Sequence, residues 1–79
     1  MTKIILYTIK DCPLCTLLEQ ELQKNNITYK TCTNRRKMMR KGFTKAPMLE
    51  IYNDDQVETL TFIEAMLRFG DKKYAEQDN

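Results

Sequence analysis

The chain has 79 residues, a length that allows one compact domain, expected over residues 1–79, and leaves no room for a second. Its apolar content of 42% supports a small core, and its net charge of +2 argues against a general nucleic-acid binder or an acidic tail protein. The N-terminus lacks the pattern of a signal peptide and no segment is long enough to span a membrane, so we expect a cytoplasmic, monomeric protein that binds neither nucleic acid nor membrane.

The first two predicted elements are a strand and a helix that meet at a pair of cysteines. An apolar run over residues 3–8 predicts a strand that is buried on both faces and therefore central in its sheet. From Cys12 to about Asn25, leucines recur at three- and four-residue spacing opposite Glu, Gln and Lys, which predicts a helix with one apolar face. That face should cover one side of the sheet.

The cysteines form a C-P-L-C motif at residues 12–15, at the junction between this strand and this helix. A helix N-terminus presents unpaired backbone N–H groups and a partial positive charge, and both stabilise a thiolate over a thiol. We therefore predict that Cys12 is the reactive thiolate and that Cys15, one turn later, resolves the exchange by closing a disulfide with it. Lys10 should lower the pKa of Cys12 further, whereas Asp11 should oppose it by like-charge repulsion.

A C-x-x-C pair also occurs in metal sites and in ordinary cores. A zinc site normally needs two such pairs, or one pair with histidines. The chain has no histidine and its only other thiol is Cys32, so we predict no metal site. Cys32 should be a bystander on the second strand, and burial of the C-x-x-C pair as small core residues stays open.

Five further elements follow the motif. They are predicted as a strand, a short helix, two strands and a helix, over residues 27–32, 34–42, 48–52, 56–60 and 61–69. The complete order is β-α-β-α-β-β-α, and its first three elements form a right-handed βαβ unit with parallel strands. Thr61 and Glu64 have the spacing of a capping box at the start of the last helix. Polar residues 71–79 predict a frayed tail or a last surface turn.

The short helix over residues 34–42 is strongly basic. Five of its seven interior positions are Lys or Arg, between an Asn that can cap its start and a Gly that can end it. Such a charge pattern indicates either a solvated helix face or a landing surface for anionic partners near the thiol, such as glutathione carboxylates or an acidic protein patch.

The element order, the C-P-x-C motif at the first strand-to-helix junction and Pro47 at the start of the third strand together resemble glutaredoxin, within the thioredoxin superfamily. The resemblance covers residues 3–69. It implies the thioredoxin-like α/β fold, with a four-stranded mixed sheet flanked by helices, and a cis Ala46–Pro47 bond that faces the active-site disulfide. The backbone beside this bond would then hold an incoming cysteine-containing chain like an added strand.

The same resemblance implies the activity and its residues. It implies a thiol–disulfide oxidoreductase that reduces protein or mixed disulfides, with a role in electron transport and cell redox homeostasis. Residues 42–47 are similar to the Gly-Phe-x-Gln-Ala-Pro segment of the glutaredoxin-like redoxins that reduce ribonucleotide reductase, which implies that enzyme as a possible target. Glutathione or thioredoxin reductase would supply electrons, with no tightly bound cofactor. The implied catalytic residues are Cys12, Cys15 and Pro47, and the implied glutathione-binding residues are Lys10, Lys45 and Ala46.

The chain departs from both groups after the fourth strand, where residues 60–64 contain neither the glycine pair of glutaredoxins nor the Trp-Ser-Gly-Phe of the redoxins. Two other functions therefore stay open. A binding module of the same fold would use the C-x-x-C surface and the basic helix to dock a partner without catalysis. An iron–sulfur carrier, bridged through Cys12 and glutathione, is disfavoured by the presence of Pro13 and the resolving Cys15.

Overall fold

In the computed structural model, which describes residues 2–70, a four-stranded mixed sheet carries helices on both of its faces. The elements in chain order are β1 (Thr2–Tyr7), α1 (Pro13–Lys24), β2 (Lys30–Cys32), α2 (Arg35–Arg40), β3 (Met48–Asn53), β4 (Gln56–Leu60) and α3 (Phe62–Phe69). The predicted order β-α-β-α-β-β-α is confirmed. The tail predicted for residues 71–79 lies outside the described residues.

The strands lie in the order β2-β1-β3-β4, so the predicted central position of β1 is confirmed. β1 pairs in parallel with β2 and antiparallel with β3, and β4 pairs antiparallel with β3. Tyr7, the last residue of β1, lies opposite Cys32 on one side and Met48 on the other. The carboxyl ends of β1 and β2 and the amino end of β3 therefore meet at one edge of the sheet.

β2 is shorter than predicted because the chain first has to close the end of α1. Asn26 has a left-handed backbone conformation, with φ of 59°. The N–H groups of Asn26 and Ile27 donate to the carbonyls of Gln23 and Leu22, the pattern that ends many helices. Ile27 and Tyr29 pack on the core without pairing in the sheet, and pairing begins only at Lys30.

Each face of the sheet has its own group of buried side chains. We call the larger group the α1/α3 cluster; its fully or nearly buried members are Ile4, Leu6, Leu18, Leu22, Leu49, Ile51, Leu60 and Ala65. The smaller group, the α2 cluster, consists of Tyr7, Met38 and Met48. Because successive residues of a strand point to opposite faces, Leu6 and Tyr7 join different clusters, which is why residues 4–7 of β1 are apolar without alternation.

The helix termini follow the sequence signals. Asn34 caps α2 by accepting a hydrogen bond from the N–H of Lys37, and Gly42 follows α2 with φ of 78°, which glycine adopts without strain. At α3, Thr61 and Glu64 form the predicted capping box, with each side chain bonded to the backbone of the other residue. Within residues 2–70, no helix combines the length and apolar character needed to cross a bilayer.

Candidate redox site at the start of α1

The predicted cysteine pair forms a disulfide at the sheet edge where β1 ends. Cys12 and Cys15 are bonded, and their Cα atoms are 5.2 Å apart. Cys12 is partly exposed, whereas Cys15 is only 3% exposed. The pair is therefore not two buried core thiols, and the sulfur that an external molecule can reach is that of Cys12.

Cys12 is the N-cap of α1, as the position of the motif predicted. Its backbone is extended, Pro13 is the first helical residue, and the Cys15 N–H donates a hydrogen bond to the Cys12 Sγ at 3.1 Å. No acidic residue occupies the first turn. Asp11 has φ of 56°, a left-handed conformation that Asp tolerates, and this bend turns the chain from the strand into the helix.

Pro47 lies directly across from this helix terminus. The Ala46–Pro47 peptide bond is cis, which confirms the expectation drawn from the resemblance, and the Pro47 side chain is fully buried. The Cys12 Sγ lies 4.0 Å from the Ala46 carbonyl oxygen. The structure thus brings together Cys12, Cys15, Ala46 and Pro47, four of the six residues named from the sequence.

The two lysines in that set are less closely engaged. Lys10 is exposed, and its expected effect on the Cys12 thiolate stays a prediction. Lys45 is also exposed and helps to lower the pKa of Glu64, after the hydrogen bonds that Glu64 makes with Thr61. Cys32 is a free, partly buried thiol against the α2 cluster.

An open groove lies beside the disulfide, and sequence reasoning did not foresee it. Its volume is about 270 Å³, and Ala46 is both part of its wall and the residue that contacts Cys12. The lining residues come from the segment after β1, from α2 and from the segment before β3: Ile9, Arg35, Met38, Met39, Phe43, Thr44, Lys45 and Ala46. The sequence signal that could have indicated it is the insertion of two methionines and a phenylalanine among the cations of residues 35–45.

A buried carboxylate supports the groove from behind. Glu50 of β3 is only 4% exposed, and it accepts hydrogen bonds from the hydroxyls of Tyr7 and Tyr52 and from the Lys41 ammonium, the last at 2.9 Å. The Tyr7 ring in turn packs edge-to-face on Phe43, with centroids 5.1 Å apart. Glu50 thus holds Tyr7 in position, and Tyr7 in turn supports Phe43, which lines the groove.

The ionisation of this group follows from its contacts. Burial acts to raise the pKa of Glu50, but hydrogen bonds from Tyr7, Tyr52 and Lys41 outweigh it and hold that pKa below its ordinary value. The hydrogen bond to Glu50 raises the pKa of Lys41, although partial burial opposes it. Burial, followed by the hydrogen bond to Glu50, raises the pKa of Tyr7 strongly. At neutral pH the network therefore joins a carboxylate, Glu50, to the ammonium of Lys41 and to the neutral phenol of Tyr7.

The described residues contain no cluster suited to a metal ion: residues 2–70 include no group of three or more Cys, Asp or Glu side chains placed to hold one.

No protein-family model and no curated protein sequence matches the chain. Among solved structures, it is similar to glutathione transferase Omega 2S from Trametes versicolor in complex with 2,4-dihydroxybenzophenone, with a TM-score of 0.71 and 19% identity over 96% of this chain and 38% of that one. It is also similar to a malarial protein, with a TM-score of 0.65 and 10% identity over 87% of this chain and 97% of that one. A third is Leishmania TDR1, a trimeric glutathione transferase, with a TM-score of 0.62 and 18% identity over 89% of this chain and 17% of that one.

The chain spans less than two fifths of the length of the glutathione transferases, at 38% and 17%. At these identities the similarity concerns the fold. The mixed four-stranded sheet, the flanking helices and these neighbours together show that the chain has the thioredoxin-like fold, as the sequence predicted.

Proposed function

We propose that the protein is a glutaredoxin-like thiol–disulfide oxidoreductase that reduces protein or mixed disulfides through Cys12 and Cys15. One observation carries the proposal: an accessible sulfur and a shielded one are bonded at the N-terminus of a helix, against the residue that precedes a cis-proline. Glutaredoxin is the group that the motifs resemble, and the names of two structural neighbours, both glutathione transferases, add support for glutathione as a ligand or reductant.

Cys12 is the sulfur that attacks, because it is accessible and because its thiolate has a donor in place. When the disulfide is opened, the Cys15 N–H that now lies 3.1 Å from the Cys12 Sγ can bond to the thiolate. The positive end of the α1 dipole adds to this stabilisation. Cys15 is shielded from an external disulfide but lies within bonding distance of Cys12, as a resolving cysteine must.

The reaction proceeds by two exchanges. The Cys12 thiolate attacks one sulfur of the substrate disulfide; a bond forms to that sulfur, the substrate S–S bond breaks, and the released thiolate takes a proton. Cys15 then loses its proton, and its sulfur attacks the Cys12 sulfur and expels the remaining substrate thiolate, which is protonated in turn. The substrate gains two electrons and two protons, and the protein retains the Cys12–Cys15 disulfide.

The backbone before Pro47 is suited to hold the substrate during the first exchange. The pairing of β3 with β1 begins at Met48, so the peptide groups of residues 45–46 lie beyond the sheet ladder and beside Cys12. An extended substrate segment can pair there like an added strand. For glutathione we propose Ala46 as the backbone partner and Lys10 and Lys45 as partners for its carboxylates.

Cysteine variants test the catalytic proposal with insulin or a glutathione mixed disulfide as substrate. Cys12→Ser is expected to abolish reduction, and Cys15→Ser to retain the first exchange and accumulate a mixed disulfide visible by mass spectrometry. Cys32→Ser is the matched control and should retain turnover. Full activity in Cys12→Ser would refute the assignment, and the absence of turnover in the unmodified protein would favour a binding module.

The electron source is tested by following NADPH oxidation in two assays. One contains glutathione with its reductase, and the other contains thioredoxin reductase; a protein disulfide such as that of ribonucleotide reductase serves as the final acceptor. The similarity of residues 42–47 to the redoxin segment favours the second source, and the similarity of the motif to glutaredoxin favours the first. Sustained oxidation in one assay alone decides between them.

A further inference from the structure

The groove beside the disulfide combines an apolar interior with cationic residues. Ile9, Met38, Met39 and Phe43 give it apolar side chains, and Arg35 and Lys45 are exposed residues of its lining. None of its lining residues is acidic. This composition makes it a site for a ligand that has both an apolar group and negative charge.

The size of the groove indicates how large that apolar group is. Its volume of about 270 Å³ exceeds the roughly 150 Å³ of an apolar protein cavity that accommodates benzene. Glutathione consists of γ-glutamyl, cysteinyl and glycyl units, so beyond its reactive thiol it has no apolar side chain to place there. A leucine, methionine or phenylalanine side chain of a polypeptide can fill the space.

The two cations are available to an anionic partner. Within residues 2–70, neither Arg35 nor Lys45 forms an ion pair, although Lys45 is near enough to Glu64 to help lower the pKa of that carboxyl. Exposed cations beside an apolar groove attract acidic segments and repel basic ones.

The groove is also held in shape before any ligand arrives. Phe43 rests on the Tyr7 ring, and the Tyr7 hydroxyl is bonded to the buried Glu50. Met39, in contrast, is 75% exposed, and methionine adapts readily to differently shaped partners. The lining thus includes both a supported residue, Phe43, and an adaptable one, Met39, a combination suited to several related side chains.

We infer that this groove selects polypeptide substrates in which an apolar residue adjoins the reactive cysteine and acidic residues follow nearby. The inference rests on the proposed function and specifies its substrate class. A segment that pairs with residues 45–46 presents its cysteine to Cys12, and the neighbouring side chain then reaches the groove through the shared residue Ala46.

The test uses the full chain, first reduced at Cys12 and Cys15 and freed of the reductant, so that the dithiol itself supplies the two electrons. The substrates are short peptides whose single cysteine is joined to thionitrobenzoate, with release of the coloured thiol as the readout. The peptides carry Leu or Ser next to the cysteine, on either side of it, and Asp or Lys two positions beyond. We expect the second-order rate constant of this single turnover to be about tenfold higher for Leu than for Ser, the usual scale for a filled apolar pocket. The preference for Asp over Lys should shrink as salt screens the exposed charges.

Three variants at two groove residues, with one control variant, show which residues cause each preference. Met39→Ser should reduce the Leu-to-Ser ratio towards one, Met39→Leu should restore it, and Arg35→Gln should reduce the Asp-to-Lys ratio. Leu67→Ser is the matched control, because Leu67 is 82% exposed on α3 and lines no part of the groove; it should leave both ratios unchanged. Equal rates for the Leu and Ser peptides, or a ratio that survives Met39→Ser, would overturn the inference.

A second measurement separates this inference from the proposed function. The same peptides with alanine in place of cysteine cannot react, and their binding is followed by NMR shifts of the protein. Tighter binding of the acidic Leu peptide, with shifts centred on residues 35–46, supports the groove even if reduction fails. Reduction of the glutathione mixed disulfide without any preference among the peptides supports the oxidoreductase and refutes the groove.

Discussion

The two faces of the sheet are built differently. The α1/α3 cluster consists of eight apolar side chains under two helices. The other face has three buried members under one short helix, together with a buried carboxylate and an open groove. Under the proposed function, the first face supplies most of the stability and the second most of the recognition. The disulfide lies between them, with Cys12 capping α1 and touching Ala46 of the groove.

Leu18→Ala should give the largest loss of stability. Leu18 is fully buried in the α1/α3 cluster, and truncating such a side chain costs about 2 to 5 kcal/mol, much of the total for a small domain. Denaturant unfolding measures the loss. At temperatures where the variant stays folded, its preference among peptides should equal that of the parent; a changed preference would mean that the two faces are not independent.

Glu50→Gln should act on the opposite face, with a smaller loss of stability and a change in recognition. The amide can still accept hydrogen bonds from the tyrosines, but Lys41 loses its carboxylate, and leaving a polar partner poorly satisfied costs about 1 to 3 kcal/mol. Because Tyr7 supports Phe43, the Leu-to-Ser peptide ratio should fall as well. Unchanged recognition would show that the groove does not depend on this network.

The pH dependence of the stability difference between the parent protein and Glu50→Gln follows from the direction in which the pKa of Glu50 is shifted. The pKa of Glu50 is lowered in the fold, since three hydrogen bonds outweigh its burial, so its stabilising effect is complete above the ordinary carboxyl value of about 4.3. The effect is lost as pH falls through the lowered value. The stability gap between the parent and Glu50→Gln should therefore be constant from pH 7 to about pH 5 and narrow in stronger acid.

Thr61→Ala should have the smallest effect of this series. Thr61 caps α3 through the Glu64 N–H, and loss of such a cap costs about 1 kcal/mol. For a domain of this size that corresponds to a decrease in Tm of about 4 to 8 °C. Thr61→Ser keeps the hydroxyl and should retain most of the stability, while disulfide reduction should be unaffected in both variants.

Local patterns predicted nearly all of the fold. The helix α1, the caps at Asn34 and Thr61 and the strand β1 each depend on neighbours in sequence, and each was found as expected. The apolar face predicted for α1 was only partly right, because Leu18 and Leu22 are buried whereas Leu14 and Leu17 are 45% and 48% exposed. β2 was predicted too long because the alternation of residues 27–32 did not reveal that Ile27 closes the end of α1. The cis bond before Pro47 came from the resemblance alone, since proline permits that geometry without requiring it.

The residues of the candidate site that lie close together in sequence could be predicted. Those that the fold brings together from distant positions could not. Cys12, Cys15 and the helix start lie within four residues, so the sequence indicates them directly. The partners of Glu50 stand at positions 7, 41 and 52, and the groove joins three separate segments. A glutamate in a strand ordinarily indicates the solvent side, and only the fold brings two phenols and an ammonium to it.

The unequal accessibility of the Cys12 and Cys15 sulfurs affects how long a covalent complex with a partner lasts. Under the proposed mechanism a partner is captured at Cys12, and release without an outside thiol depends on the buried Cys15. The lifetime of the covalent complex is then governed within this chain, by how readily the first turn of α1 lets one sulfur approach the other. The partner thus affects the rate at which the covalent complex forms, and the helix determines the lifetime of that complex.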